Sequence, residues 1–180
     1  MIKYLKILKN SDIFPKSKIK KPKKYEQRHT VKAIVVNRKG QVALVTNPIH
    51  KLYLFPGGGA KNNTLKLEIK RECLEEISQE VSIDRTIGKI KEFRDRDGKV
   101  YITTCFFAKA IKKVKKDSRT KEEVKNGLNV VWVNKKKLKK IFDMQNKKVS
   151  SGKINFYNTA FNIVRDKIFL TEWLKTNKSY

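Results

Sequence analysis

The sequence has 180 residues, and because 44 of them are Lys or Arg against 17 Asp or Glu, its formal net charge at pH 7 is +27. This length is typical of a single domain, and an apolar fraction of 39% suffices for a hydrophobic core, which argues against wholesale disorder. No run approaches the ~20 apolar residues of a transmembrane helix, so we expect neither a membrane span nor a membrane partner.

The N-terminus and the cysteines indicate a cytoplasmic protein. The first residues alternate lysine with apolar side chains and contain no continuous apolar segment of the kind that signal peptides require. Two isolated cysteines, Cys73 and Cys105, form neither a disulfide framework nor the paired spacing of a zinc site. Because neither has a histidine neighbour in sequence, we do not expect a thiol nucleophile.

The excess of positive charge has two interpretations. Lysine and arginine bind polyanions such as RNA by releasing counterions from the phosphates. However, 36 of the 44 cationic residues are lysine, and lysine shares A/T-rich codons with the abundant asparagine and isoleucine. Genomic base composition is therefore the explanation we favour, and the nucleic-acid interpretation stays open beside it. Under both, the field attracts polyphosphate substrates toward a cleft.

The densest basic run covers residues 16–24 and contains a proline. This composition predicts an extended arm or a solvated tail rather than part of a core. We therefore divide the chain into a basic N-terminal extension, residues 1–29, and one domain, residues 30–180.

The apolar patterns in the rest of the chain predict an α+β fold. Strands are predicted at the β-branched and apolar runs Val31–Asn37, Gln41–Thr46, Leu52–Phe55, Ile87–Arg94, Val100–Ala110 and Val130–Val133. Helices are predicted from the N-cap residues Asn62, Asn63 and Thr64 to about Ile77, and over Lys135–Met144 and Phe156–Leu174. Since helices from several parts of the chain accompany one sheet, we expect α+β or a mixed sandwich.

The first of these helices carries four acids on one side. Glu68, Glu72, Glu75 and Glu76, which we call the acidic face, fall within an arc of about 100° at helical spacing. Their mutual repulsion costs only about 1 kcal/mol, which a solvated helix tolerates, so the arc alone does not indicate a site. Its position after Gly57, Gly58 and Gly59, here called the glycine turn, changes this interpretation. Small residues admit a phosphate chain, and carboxylates are the hard ligands that Mg²⁺ prefers.

The segment Gly57–Gln79 resembles the Nudix box, in which Gly, five residues, Glu and seven residues precede R-E-U-x-E-E-x-G-U, with U aliphatic. Residues Arg71–Glu76 read R-E-C-L-E-E and match its core, and F-P-G-G-G precedes it as in the family. The resemblance covers about Thr30–Val133. It implies a Nudix-type α/β/α sandwich with a mixed β-sheet.

Three positions depart from the family pattern. The first motif Glu falls on Asn63, or on Thr64 if the second glycine is the reference. Ser78 stands where the box has Gly, and Gln79 occupies the following aliphatic position. The first change removes an acid that supports the metal site in the family, and the other two alter the end of the helix.

The resemblance implies hydrolysis of a nucleoside diphosphate linked to another moiety, with water as nucleophile and Mg²⁺ or Mn²⁺ as cofactor. The implied metal ligands are Glu72, Glu75, Glu76 and a backbone carbonyl of Gly57 or Gly58. The implied catalytic residues are Glu72, Glu75, Arg71 as an orienting group, and Glu123 as a further ligand or base.

The substrate is expected to be a nucleoside triphosphate or a related small nucleotide. Gly58 and Gly59 are expected to contact it, and Tyr53 and Phe55 to stack its base, although their alternation also fits strand packing. One alternative is an enzyme that removes the 5′ phosphates or the cap of RNA. Another is a weakened module that binds a nucleotide without turnover, motivated by Asn63 and Ser78.

Overall fold

The structure, a computed structural model, describes residues 2–47, 52–61, 64–114 and 129–177. Its strands are β1 Tyr4–Leu8, β2 Glu26–Val36, β3 Val42–Asn47, β4 Leu52–Leu54, β5 Gln79–Arg94, β6 Lys99–Lys113 and β7 Asn129–Val133. Its helices are α1 Asn10–Ile13, α2 Leu65–Ile77, α3 Lys135–Ser150 and α4 Tyr157–Thr176. No helix in these ranges is both long and apolar enough to cross a membrane.

The strands form one mixed sheet in the order β1-β5-β6-β2-β3-β4, with β7 paired to β3. The pairs β1/β5 and β2/β6 are parallel, and the remaining pairs are antiparallel. Helix α2 packs on one face of the sheet, and α3 and α4 pack on the other. The predicted α/β/α sandwich with a mixed sheet is therefore confirmed.

Strand β2 lies at the centre of both core layers. Its odd-numbered residues Val31, Ala33 and Val35 pack with α2, and Ile34 packs with the layer that contains α3 and α4. Side chains on a strand alternate between faces, so burial of both faces requires the nearly continuous apolar run seen in the sequence. The predicted stripe of α2 is also found, with Ile69, Cys73 and Ile77 buried and Leu65 half-buried.

The predicted elements are present, but several extend further than the sequence indicated. Strand β5 begins at Gln79 instead of Ile87, because its first residues alternate between buried Val81 and exposed Glu80 and Ser82. This two-residue period is that of a half-exposed strand, and it contains too few apolar residues to predict a strand from the sequence. Helices α3 and α4 end at Ser150 and Thr176, beyond the predicted ends.

The N-terminal segment contributes to the sheet and to the core. Strand β1 pairs with β5, Leu8 and Ile13 are buried, and Phe14 stacks on Tyr157 with ring centroids 5.3 Å apart. The division into residues 1–29 and 30–180 stays a prediction about domain organisation. The structure adds that residues before position 29 cover one edge of the sheet and part of one layer.

Helix α2 ends at a strained residue. Ser78 has φ 52° and ψ 40°, the left-handed conformation that glycine adopts without penalty, and its N–H donates to the carbonyl of Cys73. For a residue with a β-carbon this conformation costs roughly 1–2 kcal/mol. The structure thus explains why the family pattern has Gly where this chain has Ser.

We predict that Ser78→Gly raises the free energy of unfolding by roughly 0.5–1 kcal/mol, because relief of strain exceeds the entropy that glycine gains in the unfolded chain. The measurement is urea unfolding followed by circular dichroism. Ser82→Gly is the control, since Ser82 is an exposed residue inside β5, and there glycine should lower stability. If Ser78→Gly lowers stability to the same extent, the strain argument is wrong.

Candidate functional site

The glycine turn is aligned along the edge of β2 by three backbone hydrogen bonds. The N–H of Val31 donates to the carbonyl of Gly58, that of Ala33 to Pro56, and that of Ala60 to His29, each at 3.0 Å. Gly59 also forms an isolated antiparallel bridge with Thr30. The turn is therefore fixed to the sheet in the manner of a short strand.

Two of the glycines make close approaches, one to the backbone of β2 and one to a side chain of α2. Gly57 has φ 133°, and a β-carbon there would lie 2.1 Å from the carbonyl oxygen of Val31. A β-carbon at Gly58 would lie 2.7 Å from each carboxylate oxygen of Glu72. Since β-carbons do not approach backbone atoms this closely, the turn requires glycine at position 57, whereas a side chain at position 58 would displace the carboxylate of Glu72.

Arg71 holds three members of the acidic face. Its Nη2 donates to Glu68 at 3.0 Å and to Glu72 at 2.5 Å, and its Nη1 donates to Glu75 at 2.5 Å. Arg71, the predicted orienting group, thus forms ion pairs with three of the carboxylates. One guanidinium thus reduces the mutual repulsion of three carboxylates that share one helix face.

Glu76 connects the acidic face to the glycine turn. Its Oε2 accepts a hydrogen bond from the N–H of Gly57 at 2.6 Å. Glu72 lies against Gly58 in the same region, with 9% of its surface exposed. The glycine turn and the acidic face, which are close in sequence, are therefore also in contact in the structure.

The carboxyl group of Glu72 is in an unfavourable environment when it is charged. Burial raises its pKa above the ordinary value, while the positive charge of Arg71 acts in the opposite direction, and Lys32 acts in the same sense as Arg71. A buried carboxylate with a raised pKa gains most from additional positive charge. Such perturbed groups cluster at functional sites.

Lys32 is a member of the site that the sequence analysis missed. It lies in β2 with 9% of its surface exposed, and its Nζ donates to the carbonyls of Phe55 at 2.8 Å and Gly57 at 2.6 Å. The signal in the sequence was a single charged residue inside the apolar run of β2, a position at which lysine is rarely buried without partners. The carbonyl of Gly57 thus accepts a hydrogen bond from Lys32, and the N–H of Gly57 donates one to Glu76.

A cleft of about 280 Å³ opens beside the glycine turn, and its walls carry four cations and no acid. The residues around it are Arg28, Thr30, Lys32, Gly57, Gly58, Gly59, Arg94, Tyr101, Asn158, Asn162 and Arg165. The predicted substrate contacts Gly58 and Gly59 are therefore at the wall of a cleft. Its positive lining suits an anionic ligand.

Arg94 forms a rigid part of this wall. Its guanidinium carbon lies 4.2 Å from the ring centroid of Tyr101 and 5.1 Å from that of Phe161. Its two Nη atoms donate to the amide oxygens of Asn158 and Asn162 at 3.0 and 2.8 Å. Its Nε is buried and has no hydrogen-bond partner in the part of the chain described. The guanidinium of Arg94 thus lies over the rings of both Tyr101 and Phe161.

A buried ionic network connects the cleft to α4. Glu92 lies 3.0 Å from Arg94 and 3.5 Å from Arg165, and Arg165 lies 3.0 Å from Asp166. The Oδ2 of Asp166 accepts a hydrogen bond from the N–H of Phe55 at 3.0 Å. Two acids balance two bases, which buried charges require, and the network ties α4 to the residue that leads into the glycine turn.

The structure does not support stacking of a base on Phe55. Its side chain is fully buried and its ring stacks on Phe142 with centroids 4.9 Å apart, so this prediction is corrected in favour of strand packing. Tyr53 is half-buried in β4, and its backbone exchanges two hydrogen bonds with the amide of Gln145. Asn63 and Glu123 lie outside the described residues.

The acidic face fits a divalent cation in its donor chemistry and its charge. Carboxylate oxygens are hard ligands, and Glu68, Glu72 and Glu75 share the single positive charge of Arg71. No three acidic, histidine or cysteine side chains within the described ranges already converge on one metal position. Occupancy therefore requires carboxylates to exchange contacts with Arg71 for contacts with an ion.

No protein-family model matches the sequence, and no curated protein matches it significantly. A solved NUDIX hydrolase from Nitrosomonas europaea is similar in structure, with a TM-score of 0.53 and 16% identity over 66% of this chain and 80% of that chain. A MutT protein from Methanosarcina mazei Go1 has a TM-score of 0.48, 20% identity and coverage of 64% and 82%. The E. coli ORF135 protein has a TM-score of 0.48, 16% identity and coverage of 64% and 79%. The first similarity shows that this chain has the Nudix fold.

We predict that Glu72→Gln is more stable relative to the wild-type protein at pH 7 than at pH 4 when both are measured in EDTA. Because the pKa of Glu72 is raised in the folded state, its contribution to stability is fully present below the ordinary carboxyl pKa of about 4.3 and is lost as the pH rises through the folded value. Glutamine does not ionise, so its contribution to stability does not change between pH 4 and pH 7.

The measurement is urea unfolding at both pH values, with Glu80→Gln as control because Glu80 is exposed in β5. The control difference should not depend on pH. If the Glu72→Gln difference is the same at both pH values, the cost of the buried charge has been overestimated.

Proposed function

We propose that this chain hydrolyses a phosphoanhydride bond in a nucleoside diphosphate linked to another moiety, with Mg²⁺ or Mn²⁺ as cofactor. The observation that carries the proposal is the contact between the acidic face and the glycine turn, in which Glu76 accepts the N–H of Gly57 at 2.6 Å and Glu72 lies against Gly58. A polar, cationic cleft opens at the same turn.

The metal would be held by Glu72 and Glu76, which lie one helical turn apart, with Glu75 beside them. When bound, the ion neutralises charge on the diphosphate oxygens and lowers the pKa of the attacking water. Glu75 is the most exposed of the three carboxylates that Arg71 holds, with 35% of its side chain exposed. It is therefore the ligand that most easily exchanges its contact with Arg71.

The reaction needs one proton acceptor and a fixed orientation of the diphosphate. The oxygen of water forms a bond to phosphorus, the bridging P–O bond breaks with its electron pair on the leaving phosphate, and the proton of the water passes to a carboxylate. Glu75 is our candidate acceptor in the described part of the chain, and Glu123 is the candidate that the family resemblance adds. In the resting site Arg71 positions Glu75 through a hydrogen bond at 2.5 Å, and Glu75 leaves this contact when it turns to the ion or to the water.

The cleft would bind the phosphates on its cationic wall. Arg28 is exposed, and its guanidinium carbon lies 5.9 Å from the ring centroid of Tyr101. A planar guanidinium can bind a phosphate with two parallel hydrogen bonds. Since Arg94 already covers Tyr101 at 4.2 Å, the phosphates rather than a stacked base would supply most of the recognition. A nucleoside triphosphate or a related small nucleotide is accordingly the substrate we propose.

We predict that Glu76→Gln lowers kcat/KM by about 100-fold or more, since it removes a carboxylate from the metal and from the glycine turn. The measurement is release of phosphate or pyrophosphate from a panel of nucleoside triphosphates with Mg²⁺ and with Mn²⁺, scored by product identity. Glu80→Gln is the matched control, because Glu80 follows the same helix but is exposed in β5, and it should retain activity. If the wild-type protein binds nucleotides but releases no product, the chain is a binding module.

We predict that turnover of a mononucleotide changes only several-fold between 50 and 200 mM salt. A small nucleotide contacts few cations, whereas a chain that contacts 6–10 phosphates loses roughly 10³–10⁵ in affinity over that range. The comparison uses 5′-triphosphorylated RNA as the second substrate. Efficient cleavage of the RNA together with a steep loss at higher salt would replace the mononucleotide proposal with the RNA interpretation.

A further inference from the structure

We propose that the cavity between the hairpin of β2 and β3 and the end of α4 binds a small carboxylate that has an apolar body. The cavity shares no lining residue with the cleft at the glycine turn, so this site is independent of the proposed hydrolysis. The juxtaposition that supports it is a buried indole N–H without an acceptor, on the wall of a largely apolar cavity whose charged side chains are all cationic.

The size and the walls of this cavity suit a small molecule. Its volume is about 730 Å³, compared with about 280 Å³ for the cleft. The apolar part of its wall consists of Val36, Phe107, Ala110, Ile111 and Trp173. Ligand sites in proteins are typically cavities of roughly 300–1,000 Å³ with mainly apolar walls and a few polar groups. The apolar body of a small molecule can therefore pack against these side chains.

Trp173 provides a hydrogen-bond donor that has no acceptor. Only 1% of the residue is exposed, and its Nε1 is buried without a hydrogen-bond partner in the part of the chain that the structure describes. Its ring contacts that of Phe107, with centroids 6.0 Å apart, so the indole is held in place. Buried indole N–H groups usually have an acceptor, and an indole can only donate. An acceptor atom of a ligand would therefore satisfy this donor.

The charged groups of the wall indicate an anionic ligand. Arg38, Lys109 and Lys135 line the cavity, and no acid is among its described lining residues. The Nζ of Lys135 lies 5.7 Å from the ring centroid of Trp173. Because a carboxylate has two acceptor oxygens, one can accept a hydrogen bond from the ammonium and the other from the indole.

A carboxylate with an apolar body fits this wall better than other small molecules do. A neutral apolar molecule would leave the indole N–H without an acceptor. A nucleotide would place several phosphate charges against the apolar wall, where charge without partners is costly. A short acid such as acetate would leave the apolar wall uncovered. The wall thus favours one negative charge joined to an apolar group.

The first test follows the indole N–H signals by nuclear magnetic resonance while octanoate is added to the wild-type protein. The chain contains two tryptophans, Trp132 and Trp173, and Trp132→Phe and Trp173→Phe identify their signals. We expect the Trp173 proton to move downfield as its hydrogen bond forms, and the Trp132 proton to stay in place. If octanoate does not move the Trp173 signal, the inference is wrong. A signal at the hydrogen-bonded position before octanoate is added would overturn it as well.

The second test measures the dissociation constant of octanoate by calorimetry. Lys135→Gln and Trp173→Phe each remove one proposed contact, and each should raise the constant about tenfold, because hydrogen bonds to a charged group are among the stronger ones. Lys136→Gln removes the same charge from the next residue of α3, which is exposed and does not line the cavity. Trp132→Phe removes an indole that also does not line it.

Both controls should change the constant less than twofold. If Lys135→Gln and Lys136→Gln weaken binding equally, octanoate is attracted only by the net positive charge, and the inference is wrong. Thermal melts show whether each variant is folded. Lys135→Gln keeps the test decisive if Trp173→Phe is unfolded, because Lys135 is only half-buried at the first position of α3.

Octanol and acetate test the two parts of the ligand separately. Octanol lacks the charge and acetate lacks the apolar body, so each should bind at least about tenfold more weakly than octanoate. Octanol that binds as tightly as octanoate would overturn the choice of an acid, and acetate that does so would overturn the apolar contact.

Discussion

The backbone of the glycine turn approaches strand β2 at Gly57 more closely than any side chain would allow, and at Gly58 it lies directly against the carboxylate of Glu72. A β-carbon at Gly57 would lie 2.1 Å from the carbonyl oxygen of Val31, and one at Gly58 would lie 2.7 Å from Glu72. This approach lets β2 align the turn by hydrogen bonds while α2 places its acids against it. The rest of the site follows from that contact, because the turn fixes where the carboxylates and the cleft meet.

Negative charge is concentrated at the acidic face, whereas the rest of the molecule is strongly positive. The chain carries a net charge of +27, yet four of its 17 acids share one face of α2. Arg71 alone contacts three of them, and burial raises the pKa of Glu72. The cluster is therefore a local concentration of negative charge in a positively charged protein, so the potential favours a cation at the acidic face and an anion at the neighbouring cleft.

The opposite side of the turn is held by a different kind of interaction. The balanced network of Glu92, Arg94, Arg165 and Asp166 is buried between β5 and α4 and reaches the backbone of Phe55. Removing one member of such a network leaves an uncompensated buried charge, so the network fixes the geometry of the cleft wall more than it adds stability. Lys32 completes this arrangement from β2, since it binds the carbonyls on either side of Pro56.

Local residue patterns were enough to predict the acidic face and the glycine turn, because helical spacing and a run of glycines do not depend on packing, and the resemblance carried by R-E-C-L-E-E implied the sandwich fold. No local pattern predicts that Lys32 reaches Gly57 across 25 positions or that Asp166 reaches Phe55 across 111. The tertiary structure decided both contacts, and also that Phe55 is covered by Phe142 and that the N-terminal segment adds a strand. Such contacts depend on the order of strands and the docking of α4, and no local period encodes them.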